Sequence, residues 1–464
     1  MTLTKCPPSK DICLVGVSGR RQMIELVEAG KIQTVIGAFP DSFGRLLGKR
    51  FDARFFLDDI LERGFGVTGA LAFGYDMSAQ RVPDLPMSAA NGPLGDIRMM
   101  PDLATLRIAS WLEHTAIVLC DARGADDRSI AVAPRTILRR QTDAARDLGY
   151  LVKGAAEVEF YLFRDSYEGI AAEHHASPRT SGSSRAPYGL LQGHADEPII
   201  QAIRRHCQES GISVEGSHVE LGPGQHEINL RHTELSAMAD SVALYKHVAK
   251  AIARERSQAI TFMAKWDEAH IGSSMHIHIS LWSSDGERPL FCSAGGADRL
   301  PAGSVFSHFL GGLIAHGREI FPFLAPFPTS YKRFRTGGTA GLRIAWGHDN
   351  RRVAFRVVGE GPSVRVECRM PGADANPYLA LAATLASGLD GIANRIEPPS
   401  TADDAPGPPT TLDEAVRELR QSAWARRAFG ADVIEHYLRL FDAENAQFQQ
   451  AVTTWERARY FEAA

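Results

Sequence analysis

The hydrophobic and polar positions change period several times along the chain, and each change predicts an element. Residues 22 to 30, QMIELVEAG, space their apolar side chains as one face of a short helix that stops at Gly30. IQTVIGAFPD then alternates toward a strand closed by a Pro-Asp turn. An irregular Pro-containing segment, MMPDL, leads into the apolar run TAIVLCD, which predicts another strand. From there helical patterns such as TILRRQTDAARDLG and SAMADSVALYKHVAKAIARER alternate with strand-like runs, the mark of a larger α+β unit. We therefore expect a small mixed module over residues 1–110 and a large one over 111–464. EHHASPRTSGSSRAPYG, rich in Ser, Pro, Gly and His, predicts a surface loop or lid at residues 173–189. Another breaker-rich stretch, IEPPSTADDAPGPPT, precedes two expected C-terminal helices. No internal repeat is visible.

Successive side chains on a strand point to opposite faces, so parity tells which residues share a surface. In EVEFYLF, Glu157 and Glu159 oppose Val158, Phe160 and Leu162. In MHIHISLW, His276, His278 and Ser280 share a face backed by Met275, Ile277, Ile279 and Leu281. VRVECRM sets Arg365, Glu367 and Arg369 against Val364, Val366, Cys368 and Met370, and HEINLRH sets Glu227, Asn229 and Arg231 against Ile228 and Leu230. One strand of this kind usually has a solvated side. These four faces, however, carry no Lys and concentrate Glu, His and Arg, which favours a polar cleft. Carboxylates gathered at low dielectric raise one another's pKa, so such a cleft needs cations to keep them ionised. Oxygen-dominated ligands with a single imidazole point to Mg²⁺ or Mn²⁺ rather than zinc. Two such ions beside several arginines form an apparatus for phosphoryl transfer.

Composition narrows the classes further. In 464 residues, 44% hydrophobic and 23% charged, a large core is affordable, and disorder, collagen and simple coiled coil are set aside. Fifty-one basic against 55 acidic residues, a net charge of −4, leave no general field for phosphate backbones or anionic lipid. Neither nucleic acid nor a membrane is an expected partner. No apolar run reaches spanning length and the start lacks a secretory pattern, so a cytoplasmic location is expected. Cys6, Cys13, Cys120, Cys207, Cys292 and Cys368 form no C-x-x-C pair and are read as reduced thiols. Gly64, Gly66 and Gly69 match G-x-G-x-x-G, but the following ALAFGYD reads as a strand where a dinucleotide fingerprint needs a helix. Gly44, Gly48 and Lys49 have the wrong spacing for a P-loop, and Leu230 stands where a zinc helix beginning at His226 would need its second His.

Taken in order, AFPDSFGRLLGKRF, EVEFYLF, ELGPGQHE, TFMAKW with GSSMHIHIS, TSYKRF, WGHDNRRVAFRV, RVECRMPGADANPYLALAATLASGLDGI and WERARYFE resemble the glutamine synthetase superfamily. These are ATP-dependent ligases that activate the γ-carboxylate of glutamate and condense it with ammonia or an amine. The resemblance implies a β-grasp amino-terminal domain and a catalytic domain with an antiparallel β funnel surrounded by helices. It implies that Glu159, Glu220 and Glu227 hold one divalent ion, while Glu157, His276 and Glu367 hold another. His278 and Arg356 would contact nucleotide phosphates, with Ser280 and Glu215 in the ATP channel. Arg333, Arg351 and Arg369 would clamp glutamate and its acyl phosphate, with Gly272 lending backbone. Parity places Arg351 off the face of Arg356, in the loop entering that strand. Two or more Mg²⁺ or Mn²⁺ ions, ATP as co-substrate, and a homo-dodecamer of two stacked hexameric rings with inter-subunit active sites are implied as well.

The sequence also departs from the ammonia-using pattern. Six residues after Arg333, where those members carry a glutamate that helps deprotonate ammonium, stands Thr339. Glu220 and Glu227 are one residue closer, Ile271 replaces an asparagine, and the Asp-Gly-Ser-Ser signature is absent, with Asp52 of FDARFF its approximate counterpart. No adenylylated-tyrosine segment follows Asn394. These changes resemble the γ-glutamyl-amine ligases, whose acceptors are ethanolamine, polyamines or small alkyl and aryl amines. A glutamine synthetase tolerant of Thr339, a silent glutamate or nucleotide sensor, and a guanidino kinase are the competing readings.

Overall fold

The structure, a computed structural model, describes residues 19–85, 95–291, 302–335, 342–399 and 405–464. Cys6, Cys13, Cys292 and Thr339 lie outside the described residues. The expected first helix runs Gly19–Glu28, and Gly30 follows it at φ +68, a value that favours glycine. β1 (Thr34–Pro40), β2 (Leu46–Asp52), β3 (Phe65–Thr68), β4 (Asp96–Pro101), β5 (Arg107–Ile108) and β6 (Thr115–Arg123) build a mixed sheet ordered β2-β1-β6-β4-β3, with β5 also on β6. β6 lies beyond residue 110 yet pairs with β1, β4 and β5, so the small sheet continues to Arg123.

Two local expectations are corrected here. ALAFGYD begins with a short helix, Gly69–Phe73, rather than a strand, because its Ala and Leu residues are strong helix formers. MMP is not irregular but closes β4, with Pro101 at the last position, where a missing N–H ends the ladder instead of interrupting it.

The second sheet comprises β7 (Tyr150–Phe163), β8 (Val214–Val219), β9 (Gln225–Glu234), β10 (Ala259–Thr261), β11 (Met275–Ser283), β12 (Arg343–His348), β13 (Val353–Val358) and β14 (Arg365–Cys368). Its order is β12-β13-β14-β11-β7-β9-β8, with β10 on β7, and its pairs are antiparallel except β12 with β13. The apolar backs foreseen by parity, including Val158, Phe160, Ile277, Ile279, Val366 and Cys368, are buried in the core. The helix Leu235–Glu255 packs on β7, β9 and β10 with Met238, Val242 and Tyr245 buried, and the helix Pro377–Asn394 packs against it. Burying each such large apolar side chain contributes about 1.5–3 kcal/mol, so the core fixes which face remains for chemistry. The C-terminal part holds four helices, Leu412–Gln421, Ala423–Phe429, Ala431–Gln450 and Thr454–Tyr460, rather than two. Ser422 caps the second by accepting from Ala425 N, and Gly430 at φ +95 turns the chain into the third.

Candidate active site

Strand register gathers the ionisable faces into one surface. Glu157 of β7 stands opposite His276 of β11 and Asn229 of β9, and Glu159 stands opposite Glu227, which in turn faces His218 of β8. Glu367 of β14 lies between His278 of β11 and Arg356 of β13. Glu367 is fully buried, and Glu159, Glu227, His276 and His278 are buried too. Arg356 Nη1 donates to Glu367 Oε2 at 2.8 Å, and Arg369 donates to Glu367 Oε1. His276 Nδ1 lies 3.5 Å from Glu367 and 3.6 Å from Glu157, while His278 Nε2 lies 3.1 Å from Glu157. Ser274 N and Gln225 Nε2 donate to Glu159, and Asn229 donates to Glu227 at 2.8 Å.

The electrostatics call for a cation. Burial, then the nearby Glu220 and Glu227, pushes Glu159 well above the usual carboxylate range. Burial and Glu157 push Glu227 up to about 7. Glu157 behaves oppositely, because contact with His276 and His278 outweighs its burial and holds it below its ordinary value. A positive ion among these groups would restore the charge that crowding suppresses. Three sets have donor atoms within 4.8 Å of one another: Glu157, His276 and Glu367; Glu159, Glu227 and His276; and His218, Glu220 and Glu227. His276 Nε2 is buried without a hydrogen-bond partner beside the carboxylates. Carboxylates with imidazole and no thiolate suit Mg²⁺ or Mn²⁺.

A cavity of about 370 Å³ is lined by all six acidic and histidine residues expected to hold ions, together with Gly272, Arg333, Arg351, Arg356 and Arg369. Arg333 is buried, with Nη1 donating to Ser274 Oγ at 2.9 Å, and burial lowers it to about 10 despite the opposing pull of Glu159. Gly272 is required beside it: a Cβ there would come within 2.4 Å of Arg333 Cγ and 2.6 Å of Ala264 O. Arg351 sits in the turn before β13, as parity foresaw. Glu215, His278 and Ser280 line a second cavity, of about 390 Å³, with Trp282 and Lys153. Glu157 and Asn229 line both cavities and form the wall between them. Two expected features lie elsewhere: Arg231 is exposed, and Asp52 caps the turn at Arg54 and Phe55 outside either cavity. The ammonia-site question at Thr339 falls outside the described residues.

His218 escaped the sequence reading. Its Nε2 lies 2.9 Å from Glu220 Oε1, a contact that raises the imidazole pKa, and the ring of Tyr188 stacks on it with centroids 4.9 Å apart. Its spacing of two from Glu220 was the available signal. Tyr188 brings the expected lid to the cavity, while Arg179 to Asp165 and Ser181 to Asp196 anchor the rest of that loop.

Residues 131–460 match the family model described as glutamine synthetase, catalytic domain. The chain belongs to the glutamine synthetase family. It is 42% identical over 452 residues to a gamma-glutamylethanolamide synthetase of Streptomyces coelicolor, covering 96% of each. It is 34% identical over 448 residues to a glutamate–isopropylamine ligase of a Pseudomonas species, covering 94% of this chain and 97% of that one. Among solved structures, a GmaS/ADP complex matches with TM-score 0.82 and 26% identity over 95% of this chain and 99% of that one.

Proposed function

We propose that this family member is an ATP-dependent ligase joining the γ-carboxylate of glutamate to an organic amine and releasing ADP and phosphate. The observation that carries the reading is the shared wall: Glu157 and Asn229 separate an arginine-rich, carboxylate-rich cavity from one lined by His278, Ser280 and Trp282. Such a wall suits a reaction in which a terminal phosphoryl group leaves a nucleotide on one side for an acid on the other. Similarity to two ligases of amines over nearly the whole chain supports the acceptor class.

Glu157, Glu159, Glu220, Glu227, His276 and Glu367 are the proposed ion ligands, with His218 added. Bound Mg²⁺ or Mn²⁺ ions, two or more, would neutralise phosphate charge and polarise the transferred phosphoryl group. Glu215, His278, Ser280 and Arg356 are assigned to ATP. Arg333, Arg351 and Arg369, with the Gly272 backbone, hold glutamate so that a γ-oxygen meets the terminal phosphorus, forming γ-glutamyl phosphate as ADP departs. Amine attack on the acyl carbon then expels phosphate and forms the amide. Tyr188 and its loop limit water entry while the acyl phosphate exists. Thr339 remains assigned to the acceptor side, where it offers no carboxylate to an ammonium ion. A two-domain division near residue 110, extended by the pairing of β6, and a two-ring dodecamer complete the reading. Exposed Trp455, Tyr460 and Phe461 suit burial against another copy. The buried Cys120, Cys207 and Cys368, which form no disulfide, suit a reducing cytoplasm.

An acceptor panel scored by product mass and phosphate release tests this directly. Phosphate should appear only with glutamate, ATP, a divalent ion and an amine together, and ammonia should be a poor acceptor. Ammonia as the best acceptor would make the chain a glutamine synthetase; no phosphate with any acceptor would make it a sensor.

A further inference from the structure

A cavity of about 740 Å³ shares no lining residue with either cavity of the active site. It opens where the loop between β1 and β2 meets the helices Leu235–Glu255 and Ala431–Gln450. Its size lies in the range of small-molecule sites. Its walls combine three elements of recognition. Lys246 and Lys250, one turn apart on a helix, supply positive charge, with their Nζ atoms 5.8 and 5.7 Å from the Phe262 ring. Asp374 and Glu444 supply carboxyl groups whose pKa burial raises, so an ammonium placed beside them would favour their charged form. Phe262, Phe327 and Phe448 supply an apolar surface.

The charges are incompletely used within the chain. Lys246 Nζ donates to Ala375 O at 3.0 Å and has further N–H groups, and Lys250 forms no ion pair among the described residues. Asp374 Oδ2 accepts from Ser330 Oγ and Ala264 N, but Oδ1 is buried with no hydrogen-bond partner. Burial lowers Lys246 to about 7, so a carboxylate placed beside it would favour its charged form. A purely anionic ligand would meet Asp374 and Glu444, and a purely cationic one would meet the lysines. We propose that this cavity is an effector site for a zwitterionic α-amino acid with an apolar side chain. Its carboxylate lies toward Lys246 and Lys250, its ammonium toward Asp374 and Glu444, and its side chain among the phenylalanines.

The site touches the segments that build the substrate cavity. Asp374 ties Ser330, in the short helix Pro328–Lys332 immediately before Arg333, to Ala264, whose carbonyl accepts from Ser273 N beside Gly272. Occupancy that shifts Asp374 therefore acts on the glutamate clamp, a coupling that only a paired binding and kinetic measurement establishes.

The test is calorimetric titration of the full chain with L-leucine and L-phenylalanine under saturating glutamate, Mg²⁺ and a non-hydrolysable ATP analogue. Saturable binding is expected, weakened at least about tenfold for 3-phenylpropanoate and phenethylamine, each of which lacks one charge. Lys250→Met, which lines neither active-site cavity, should weaken binding by a similar factor, with Lys246→Met as the second variant. The bound amino acid should change the KM for glutamate at least about twofold in the wild type and not in Lys250→Met. Absence of saturable binding, or binding with unchanged affinity in both variants, overturns the site. Binding that leaves KM and turnover untouched overturns the effector role.

Discussion

Glu367 shows how much one side chain is asked to do. It is fully buried, and its two oxygens accept from Arg356 and Arg369 while His276 approaches to 3.5 Å. Burial would raise its pKa, but the charges of His276 and Arg369 outweigh that and hold it low. Glu367→Gln removes the charge and leaves two guanidinium groups facing a neutral amide, so a loss of about 3–5 kcal/mol in unfolding free energy is expected. Ligation should fall at least about 100-fold, because a proposed ion ligand and the partner of two clamping arginines are lost together. Urea unfolding and phosphate release read the two effects; normal values for both would reject the assignment. Glu367 was legible because Val366 and Cys368 give its strand an unmistakable apolar back. His218 was not, because β8 is short and carries Gly216 and Ser217 in place of a buried apolar alternation.

At the scale of elements, two predictions concern helix packing. The helices Val305–His316 and Pro377–Asn394 approach so closely that a Cβ on Gly391 would stand 2.1 Å from His308 O and 2.5 Å from Gly312 N. Gly391→Ala must separate two packed backbones and should cost about 1–3 kcal/mol, read as a lower denaturation midpoint with an unchanged slope. At the end of the first of these helices, His316 Nε2 lies 2.8 Å from Asp390 and Nδ1 lies 3.4 Å from Glu319, with Trp424 stacked on the ring at 3.7 Å. Burial disfavours the imidazolium, but the two carboxylates outweigh it and raise the pKa. The folded state therefore binds this proton more tightly than the unfolded state. The resulting stability is fully present below the unfolded value of about 6.5 and fades as pH rises through the higher folded value. His316→Gln should flatten that segment of the stability profile, while wild-type behaviour in the variant would locate the pH dependence elsewhere. The helices themselves were legible from their apolar period. Their number at the C-terminus was not, because Ser422 and Gly430 break the chain within a nearly continuous helical pattern.

Across the whole molecule, parity foretold that β7, β9, β11 and β14 would bring their ionisable faces together, although the segments lie far apart in sequence. It could not foretell the wall of Glu157 and Asn229 between two cavities, which depends on the curvature of the sheet. Nor could it place β6, whose apolar run fits either side of a domain boundary. Arg135 explains how the small sheet is joined to the rest. Buried at the start of the helix Pro134–Asp147, it donates to Asp102 and Asp121 beside and within the small sheet, and to both oxygens of Asp240 on the helix Leu235–Glu255. Arg139 also reaches Asp121 and Asp102, whereas among the described residues Asp240 keeps the hydroxyl of Tyr378 as its hydrogen-bond donor, with the charge of Arg107 nearby, if Arg135 is lost. Arg135→Met should therefore cost about 3–5 kcal/mol, chiefly by stranding Asp240, and adding Asp240→Asn should recover part of that loss. Turnover per folded molecule should persist, since Arg135 lines neither active-site cavity. Unfolding curves of the two single variants and the double variant measure the coupling. A single-variant loss below about 1 kcal/mol, the scale of an exposed ion pair, would mean that the junction rests on apolar packing instead.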